Sequence, residues 1–458
     1  MKVMKFGGSS LKDSDSMLLV GGIIASDPEP KVLVLSAVQS VTDSIVSFVS
    51  EHRKDEEIQN LIERLKTIHL SILGGVAKDM TTKQQAVNLL MERLAKLEKV
   101  LYGISYLEEL TPRTMDLVQS FGERLSVVIT AAMLQDLGVN AIPVDADELG
   151  ITTEGNYGNA TADLKETRRN IHPKIRSMIE RQETPVVTGF FGRTPEGHVA
   201  VFGRNGSDYS ASVIANAIDA RVLEIWKDVD GFMSVDPRIV KEAVTIPNLS
   251  YDEAAELSYF GAKVLHPRTV EPAREKNIII KVKNVFEPDK EGTTIEPCSV
   301  EMGGAIKSIS CMKNLAIVKA YGAGAGYKTG VMYEISQRLS DAGVNIYSAA
   351  TSQTCVALLI EKKYLGMAKK VLADLKRGIV DRIETVDDIA LLCVVGEGLG
   401  YRKGIAARVF TAVSKEGVSV GLISAGASMV AYHFTVNSKD LERTTRAIHS
   451  EFFGARHE

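Results

Sequence analysis

The chain has 458 residues, 45% of them apolar and 24% charged, with a formal net charge of −4. This length predicts about three domains, and the small acidic excess argues against a nucleic-acid partner. The four cysteines form no C-x-x-C pair, so we expect a cytoplasmic location with neither disulfides nor a zinc site. No signal peptide and no apolar run of about 18 residues is found, so we also expect no membrane partner.

The first ten residues combine a strand, a glycine turn and a helix start. Residues 3–6 predict a short buried strand, a glycine pair follows, and Ser9 or Ser10 is expected to cap a helix. The free N–H groups and the helix dipole at such a turn attract an anion, and Lys5 adds a cation. The lysine precedes the glycines, unlike the order in a Walker P-loop, and many turns of this kind bind nothing.

A second apolar strand is predicted at residues 31–36. Thr42 or Asp43 would cap the helix that follows, which needs no function. Alternatively, Ser36 and Thr42 lie at the carboxyl end of a parallel strand, where open α/β sheets bind ligands. Residues 53–109 carry Glu, Lys, Leu and Ile at helical spacing, which predicts a helical hairpin without chemistry of its own.

Charged residues also stand beside later strands and glycine turns. Glu123 lies in the first turn of a predicted helix, where it could simply complement the helix dipole. Residues 185–192 predict a strand that runs into glycine. Another strand leads into the turn at 203–210, which carries Arg204 and Asp208. Two glycine turns with opposite flanking charges suit a phosphoryl donor and its acceptor facing each other.

The remaining part of this region continues the alternation of strands and helices. Strands are predicted at residues 220–226 and 278–285, with a turn at 227–232 and an amphipathic helix from Asp252 between them. His266 stands beside a proline and is interpreted as a structural hydrogen-bonding residue. The pattern up to about residue 300 indicates a largely parallel α/β sheet.

The chain repeats itself after a linker at residues 286–306. Gly322 corresponds to Gly396, an offset of 74 residues, and the same offset relates the surrounding glycines and apolar positions without a gap. Each copy predicts a strand, a glycine loop, a helix, two strands and a helix. Such a pair is typical of a ligand-sensing module, although structural duplication alone would also produce it.

Six motifs resemble, in their order and spacing, those of the aspartate kinase family: residues 5–10, 36–37 with 41–42, 121–123, 203–208, 226–231 and 260–267. The repeat resembles that family's tandem ACT domains. The resemblance implies an α/β amino-acid-kinase fold, a three-layer αβα sandwich over residues 1–300. It also implies two α+β ferredoxin-like ACT domains over 307–384 and 385–458. Because no dehydrogenase region follows, the monofunctional form is expected.

The implied reaction is ATP-dependent phosphorylation of the β-carboxylate of L-aspartate to 4-phospho-L-aspartate, which begins the route to lysine, threonine and methionine. ATP would be the co-substrate, and Mg²⁺ would be held mainly by phosphates, without a protein metal site. The substrate carboxylate has a pKa near ~3.9 and needs no general base. Catalysis is therefore a matter of positioning and electrostatic stabilisation.

The resemblance also assigns residues to roles. The catalytic residues would be Lys5 and Asp208, with Asp208 orienting Lys5 rather than abstracting a proton. The L-aspartate pocket would contain Thr42, Glu123, Phe190, Arg204 and Ser207, with Arg204 binding the α-carboxylate as a fork and Glu123 binding the α-ammonium. The nucleotide site would contain Lys5, Gly7, Gly8, Ser9, Lys227, Asp228, Phe232, Arg238 and Lys263. The effector site would contain Asn345, Ile346, Ser352 and Gln353.

Some positions depart from the family's common pattern. Lys227 stands where many members have threonine, and Met233 where tyrosine is frequent. Tyr347 and Gln353 stand where aspartate and glutamate would bind the ammonium of a lysine effector. We expect a homodimer through the ACT domains, or a tetramer, and the departures lead us to expect weak, altered or no feedback control by lysine or threonine. The alternatives are a glutamate-type amino-acid kinase and a non-catalytic amino-acid sensor with the kinase fold.

Overall fold

The computed structural model describes residues 1–51, 55–262, 264–297, 305–323, 325, 328–373, 375 and 380–454. The chain divides into two units. The first comprises Met1–Phe232, Pro247–Tyr251 and Val264–Ser299. The second comprises Met233–Ile246, Asp252–Lys263 and Val300–Glu458. The first unit ends beside the predicted boundary at residue 300, but two short segments before that boundary belong to the second unit.

The described strands are β1 (Lys2–Phe6), β2 (Lys31–Leu35), β3 (Ala141–Val144), β4 (Thr153–Glu154), β5 (Thr161–Ala162), β6 (Thr184–Thr188), β7 (Phe191–Arg193), β8 (Val199–Val201), β9 (Val222–Lys227), β10 (Asn248–Ser250), β11 (Ile279–Asn284), β12 (Thr293–Glu296), β13 (Ser308–Tyr321), β14 (Ser348–Ser352), β15 (Cys355–Glu361), β16 (Arg382–Val395), β17 (Ile423–Ser424) and β18 (Ala431–Asn437). The described α-helices are α1 (Ser14–Ser26), α2 (Val41–Glu51), α3 (Asp55–Val76), α4 (Met80–Leu107), α5 (Pro112–Gln119), α6 (Phe121–Asp136), α7 (Ala146–Leu149), α8 (Leu164–Glu180), α9 (Gly206–Ala217), α10 (Tyr251–Tyr259), α11 (Pro267–Glu275), α12 (Val331–Asp341), α13 (Leu365–Ala373), α14 (Ile405–Lys415) and α15 (Leu441–Phe453).

The first unit is built on a sheet in the order β10-β12-β11-β9-β1-β2-β6-β3. Every neighbouring pair is parallel except β11 and β12, which confirms the predicted, mostly parallel sheet. Strand β2 is buried along its whole length, as its continuous apolar sequence predicts. Strands β1, β2, β6 and β9 end at the same edge, so the turns that follow them meet there.

The helical hairpin predicted at residues 53–109 is confirmed as α3 and α4. Together with α1 and α6 these helices bury one continuous apolar cluster against the sheet. One span, Pro112–Asp136, is apolar and long enough to cross a membrane, but 89% of its apolar window is buried inside the fold. Among the described residues this span is thus packed as a core helix of the first unit.

Two predicted helix caps are wrong. Residues Gly8–Leu11 form a short 3₁₀ helix, and α1 begins later, where the Asp13 carboxylate accepts a hydrogen bond from the Ser16 N–H at 2.8 Å. The glycine turn continues as this tight turn, so the first acceptor able to cap α1 is Asp13 rather than Ser9 or Ser10.

Helix α2, in contrast, begins before its predicted cap. It starts at Val41, because the first i to i−4 hydrogen bond runs from the Ser44 N–H to the Ser40 carbonyl at 3.0 Å. Thr42 and Asp43 consequently lie inside its first turn rather than at its cap.

The second unit contains a six-stranded antiparallel sheet in the order β14-β15-β13-β16-β18-β17. The two copies, β13-α12-β14-β15-α13 and β16-α14-β17-β18-α15, confirm the predicted repeat. Each copy has its own apolar core, yet Ala305, Ile306 and Ile309 pack in the core of the second copy. The long strand β13 is therefore shared by both copies, and the domain bounds 307–384 and 385–458 stay a prediction.

A buried ion pair joins α10 to the start of β13 in the second unit. The Lys307 ammonium lies 2.8 Å from the Glu253 carboxylate, and these side chains are 7% and 0% exposed. The other Glu253 oxygen accepts a hydrogen bond from the Glu397 N–H at 2.8 Å. Glu253 thus ties together three segments that are far apart in the sequence.

Replacing Lys307 with methionine should lower the free energy of unfolding by about 3–5 kcal/mol, because the Glu253 carboxylate stays buried without its cation. The matched change Lys362→Met removes an exposed lysine paired with Asp388 and should cost about 0–1 kcal/mol. Urea unfolding of both variants measures the difference. Equal losses would contradict a structural role for the buried pair.

Candidate active site

A cavity of about 240 Å³ opens at the carboxyl edge of the parallel sheet in the first unit. The residues that line it lie at or just after the ends of β1, β2 and β9, or at the start of α9: Lys5, Gly7, Gly8, Ser9, Ser36, Asn205, Ser207, Asp208, Lys227 and Asp228. The structure thus brings together both predicted catalytic residues, one predicted substrate residue and five further residues of the predicted nucleotide site. Asn205 was not among the predicted site residues.

A carboxylate between two ammonium groups forms the centre of this cavity. Asp208 Oδ1 lies 2.5 Å from Lys5 Nζ, and Asp208 Oδ2 lies 2.8 Å from Lys227 Nζ. The side chains of Lys5 and Asp208 are 6% and 2% exposed. Lys5, Lys227 and Asp208 together have a formal charge of +1, which suits a polyphosphate ligand, and the exposed Asp228 adds a negative charge at the rim of the cavity. The sequence predicted Lys227 in the nucleotide site but not its contact with Asp208.

Burial and charge shift the pKa values of this cluster in a defined way. Burial by itself would raise the pKa of Asp208, but the Lys5 and Lys227 ammonium groups hold it at about 2. Burial lowers the pKa of Lys5, Asp208 opposes this shift, and Lys227 adds to it. Asp208 is therefore a permanent anion at neutral pH, and both of its oxygens are occupied by cations.

Helix α9 brings its N-terminus to the same cavity. Its twelve residues are all buried, and Asn205 precedes it with φ +56°, a left-handed conformation that asparagine tolerates. The unpaired N–H groups and the positive end of the helix dipole add to the charge of the two lysines. An asparagine directly before a glycine at a predicted helix start is the sequence signal that could have identified Asn205.

A second polar group, Glu123, lies in the first turn of α6. Its side chain is 4% exposed, and Oε1 accepts a hydrogen bond from the Ala37 N–H at 3.2 Å. Among the described residues, neither Glu123 Oε2 nor the buried Thr42 hydroxyl has a hydrogen-bond partner. Burial raises the pKa of Glu123 to about 8, although the Ala37 N–H and the Lys5 charge act in the opposite direction. An unpaired buried carboxyl of this kind can accept a cationic donor such as an ammonium group.

Gly122 lets the helix carrying Glu123 approach Thr42. A Cβ atom added at Gly122 would lie 2.3 Å from the Thr42 hydroxyl oxygen and 2.8 Å from the Ala37 Cβ. Only glycine therefore permits this contact. The close approach places the Thr42 hydroxyl beside the first turn of α6, which carries Glu123.

Two predicted substrate residues lie beside the start of α9. Arg204 is exposed, and within the described residues its guanidinium makes no hydrogen bond or ion pair. Phe190 has φ +76°, a strained backbone conformation for a large side chain, and its carbonyl accepts a hydrogen bond from the Phe202 N–H at 2.8 Å. A cationic fork free to bind an anion therefore stands at the turn before α9.

Three predicted nucleotide residues are not in the cavity lining. The Phe232 side chain is fully buried, so only its backbone could reach a ligand. Arg238 belongs to the second unit and binds Asp236 as a fork, with Nη2 2.7 Å from Oδ2. Lys263 lies outside the described residues. Their roles in nucleotide binding stay predictions.

The predicted effector residues lie in the second unit. Asn345 and Ile346 precede β14, whereas Ser352 ends this strand and Gln353 follows it. The two pairs are separated by the length of β14, on the order of 17–20 Å. The two predicted pairs therefore lie at opposite ends of β14.

Two family models match the chain: residues 1–284 match the Amino acid kinase family, and residues 392–452 match an ACT domain. The chain is 32% identical to Aspartokinase 1, chloroplastic, of Arabidopsis thaliana, over 98% of this chain and 80% of that protein. It is similar to the structure of Clostridium acetobutylicum aspartate kinase, with 30% identity, a TM-score of 0.82 and coverage of 99% and 100% of the two chains.

Aspartokinase III of E. coli is a further structural relative, with 25% identity and coverage of 98% of this chain and 99% of its own. Its complex with aspartate and ADP gives a TM-score of 0.82, and its complex with lysine and aspartate gives 0.81. These likenesses extend over both units of the present chain.

Replacing Gly122 with alanine should cost about 1–3 kcal/mol of stability, because the new methyl group overlaps Thr42 and Ala37. The control Gly103→Ala lies inside helix α4, where an added Cβ meets no atom within 4 Å. This control should gain about 0.5–1 kcal/mol from helix propensity. Chemical denaturation of both variants tests the contact, and a stabilised Gly122→Ala protein would show that α6 does not approach Thr42 so closely.

Proposed function

The chain belongs to the amino acid kinase family, as one of its aspartokinases, and from that premise we propose how its residues carry out the reaction. An aspartate kinase transfers a phosphoryl group from ATP to the β-carboxylate of L-aspartate and forms 4-phospho-L-aspartate. The observation that carries the proposal is the buried Lys5–Asp208–Lys227 cluster, which faces a cavity beside a glycine turn and a helix N-terminus.

The chemical step requires positive charge from the protein rather than a general base. The β-carboxylate is ionised at neutral pH, and its approach to a polyphosphate brings two anions together. Lys5 is buried and oriented by Asp208. It neutralises negative charge on the phosphoryl group in the transition state of the transfer. Asp208 does not act as a proton acceptor, because its pKa is about 2 and both of its oxygens bind ammonium groups. It is a positioning residue for the two lysines.

L-Aspartate would be held mainly by polar atoms that have no hydrogen-bond partner among the described residues. The unpaired Glu123 Oε2 accepts the α-ammonium, and the buried Thr42 hydroxyl supplies a further hydrogen bond. Arg204 binds the α-carboxylate as a fork, while Ser207 and the strained backbone at Phe190 shape the pocket. This arrangement would direct the β-carboxylate to Lys5, whose charge also acts to lower the pKa of Glu123.

ATP occupies the turn of Gly7, Gly8 and Ser9, with its phosphates near Lys227 and the N-terminus of α9. Asp228 is exposed at the rim of the cavity. We propose that Mg²⁺ is held mainly by the phosphates and water, because the two Asp208 oxygens are already bound by lysines. The ion would reduce the negative charge of the triphosphate.

We propose that the ACT repeat binds an amino-acid effector, lysine or threonine, and forms a homodimer, or a tetramer built from such dimers. Asn345 and Ile346 can meet Ser352 and Gln353 around one small ligand if two chains each supply a pair. No aspartate or glutamate occurs in residues 345–354, so a lysine effector should bind weakly.

The free thiols Cys311, Cys355 and Cys393 support a cytoplasmic location.

The decisive experiment measures ADP release with Mg·ATP and L-aspartate, with L-glutamate as a parallel substrate. Asp208→Asn should lower kcat at least about a hundredfold, because Lys5 and Lys227 lose the anion that orients them. The matched change Asp219→Asn alters an exposed carboxylate paired with Arg168 and should leave turnover unchanged. Preference for glutamate would favour the glutamate-type kinase. Nucleotide binding without turnover on either amino acid would favour a sensor.

The Michaelis constant for aspartate should depend on the ionisation of Glu123. Its pKa of about 8 means that the carboxyl is mostly protonated at neutral pH, so the substrate ammonium must displace this proton. The KM for aspartate is expected to fall as the pH rises from about 6.5 to 8.5, by at most about tenfold per pH unit. The KM for ATP serves as the internal control.

The variant Glu123→Gln keeps the shape of the side chain and cannot ionise. It should raise the KM for aspartate and remove this pH dependence. If the KM of Glu123→Gln still falls with rising pH, another group is responsible for the titration.

A further inference from the structure

Arg268 makes an unusually large set of contacts for a half-buried side chain of the first unit. It lies in the first turn of α11. Its Nη1 donates to Asn159 Oδ1 at 2.8 Å and to the Phe202 carbonyl at 3.1 Å. Its Nη2 donates to the Ala160 carbonyl at 2.7 Å and to the Thr161 hydroxyl at 3.1 Å. One guanidinium thereby joins α11 to the loop before β5 and to the end of β8.

The flat face of the same guanidinium is also in contact. Its central carbon lies 4.7 Å from the centre of the Tyr209 ring, and Tyr209 packs edge-on against Phe202 at 5.1 Å. The Tyr209 hydroxyl accepts a hydrogen bond from the Ala162 N–H at 3.2 Å. The planar guanidinium donates hydrogen bonds at its edges and stacks on an aromatic ring with its face. A lysine side chain cannot make this combination of contacts.

The loop held by Arg268 lies against the residue before Arg204. Gly203 has φ +75°, and a Cβ added there would lie 3.0 Å from both Asn159 Oδ1 and the Gly158 carbonyl oxygen. Asn159 Oδ1 is the same atom that accepts a hydrogen bond from Arg268. Because the Arg204 guanidinium has no partner among the described residues, its position is set by the backbone of this turn.

Asp116 anchors the other side of the same loop. Its Oδ2 accepts hydrogen bonds from the Gly158 and Val201 N–H groups, each at 2.9 Å. The loop is thus held by a carboxylate on α5 and by the guanidinium on α11, in addition to the backbone hydrogen bond from the Ala160 N–H to the Val201 carbonyl at 2.9 Å. Losing the Arg268 anchor would leave the Asp116 anchor in place, so the loop should shift without unfolding.

We propose that Arg268 is a positioning residue for L-aspartate binding, which acts through Asn159 and the Phe202 carbonyl on the turn that carries Arg204. This inference rests on the proposed role of Arg204 in holding the substrate α-carboxylate. Arg268 itself touches no substrate. Its removal changes where the Arg204 fork stands, while the phosphate end of the cavity at Lys5 and Lys227 keeps its own contacts.

Steady-state kinetics of Arg268→Lys and Asn159→Ala test the proposal. Each change should raise the KM for aspartate about ten- to a hundredfold, the effect of a displacement of about 1 Å, with the KM for ATP within about twofold. The double variant should lose little more than either single one, because both changes break the same connection. The matched control Arg221→Lys alters an exposed arginine paired with Glu29 and should change neither constant. Asn159 is exposed, so Asn159→Ala keeps the test available if Arg268→Lys folds poorly.

Arg204→Met separates failure of this inference from failure of the proposed function. A wild-type protein without aspartate-dependent turnover would overturn the proposed function itself. If Arg204→Met raises the KM for aspartate but folded Arg268→Lys and Asn159→Ala do not, the positioning role alone is wrong. Equal rises in the KM values for aspartate and ATP would reduce Arg268 to a structural residue. An unchanged KM in Arg204→Met would remove the route by which Arg268 is proposed to act.

Discussion

The burial of Asp208 between Lys5 and Lys227 is the interaction on which the rest of the site depends. Removing three charged groups from water is costly, and an isolated buried ammonium or carboxylate would change its ionisation state instead. The close contacts at 2.5 Å and 2.8 Å keep the carboxylate ionised. A site that must stabilise transferring phosphate needs cations without a water shell, and the buried anion between them makes such cations stable before the substrate arrives.

This charge cluster also requires an uncommon backbone around it. Lys5 must lie next to the end of β1, which is buried from Val3 to Phe6, and α9 must begin beside it, so the chain turns sharply on both sides of the cavity. Phe190 and Asn205 adopt left-handed conformations at these turns. Such conformations persist only where surrounding packing holds them. The complete burial of α9 supplies that packing, since its twelve residues have no freedom to relax toward solvent.

The sequence was informative where the requirement is local and less so where it depends on distant contacts. Apolar runs predicted β1, β2, β6 and β9 well, because buried parallel strands are continuous in hydrophobicity. The caps at Ser9 and Thr42 were predicted wrongly, because a 3₁₀ turn and an earlier helix start override local preference. The contacts of Lys227 with Asp208 and of Arg268 with Asn159 join residues 19 and 109 positions apart. Periodicity contains no information about pairs of this kind.

In the proposed binding mode, Glu123, whose Oε2 has no hydrogen-bond partner among the described residues, bears on substrate choice as well as on affinity. A dicarboxylic acid without an amino group could still meet Arg204 and present a carboxylate to Lys5. It would leave Glu123 Oε2 and the Thr42 hydroxyl buried without partners. A site built to hydrogen-bond a group rejects an analogue that lacks this group, because its own polar atoms remain unsatisfied. The raised pKa of Glu123 lessens this penalty by allowing the empty pocket to hold a proton. In the proposed binding mode, Glu123 is therefore a neutral acid when no substrate is bound, and as an anion it selects an amino acid.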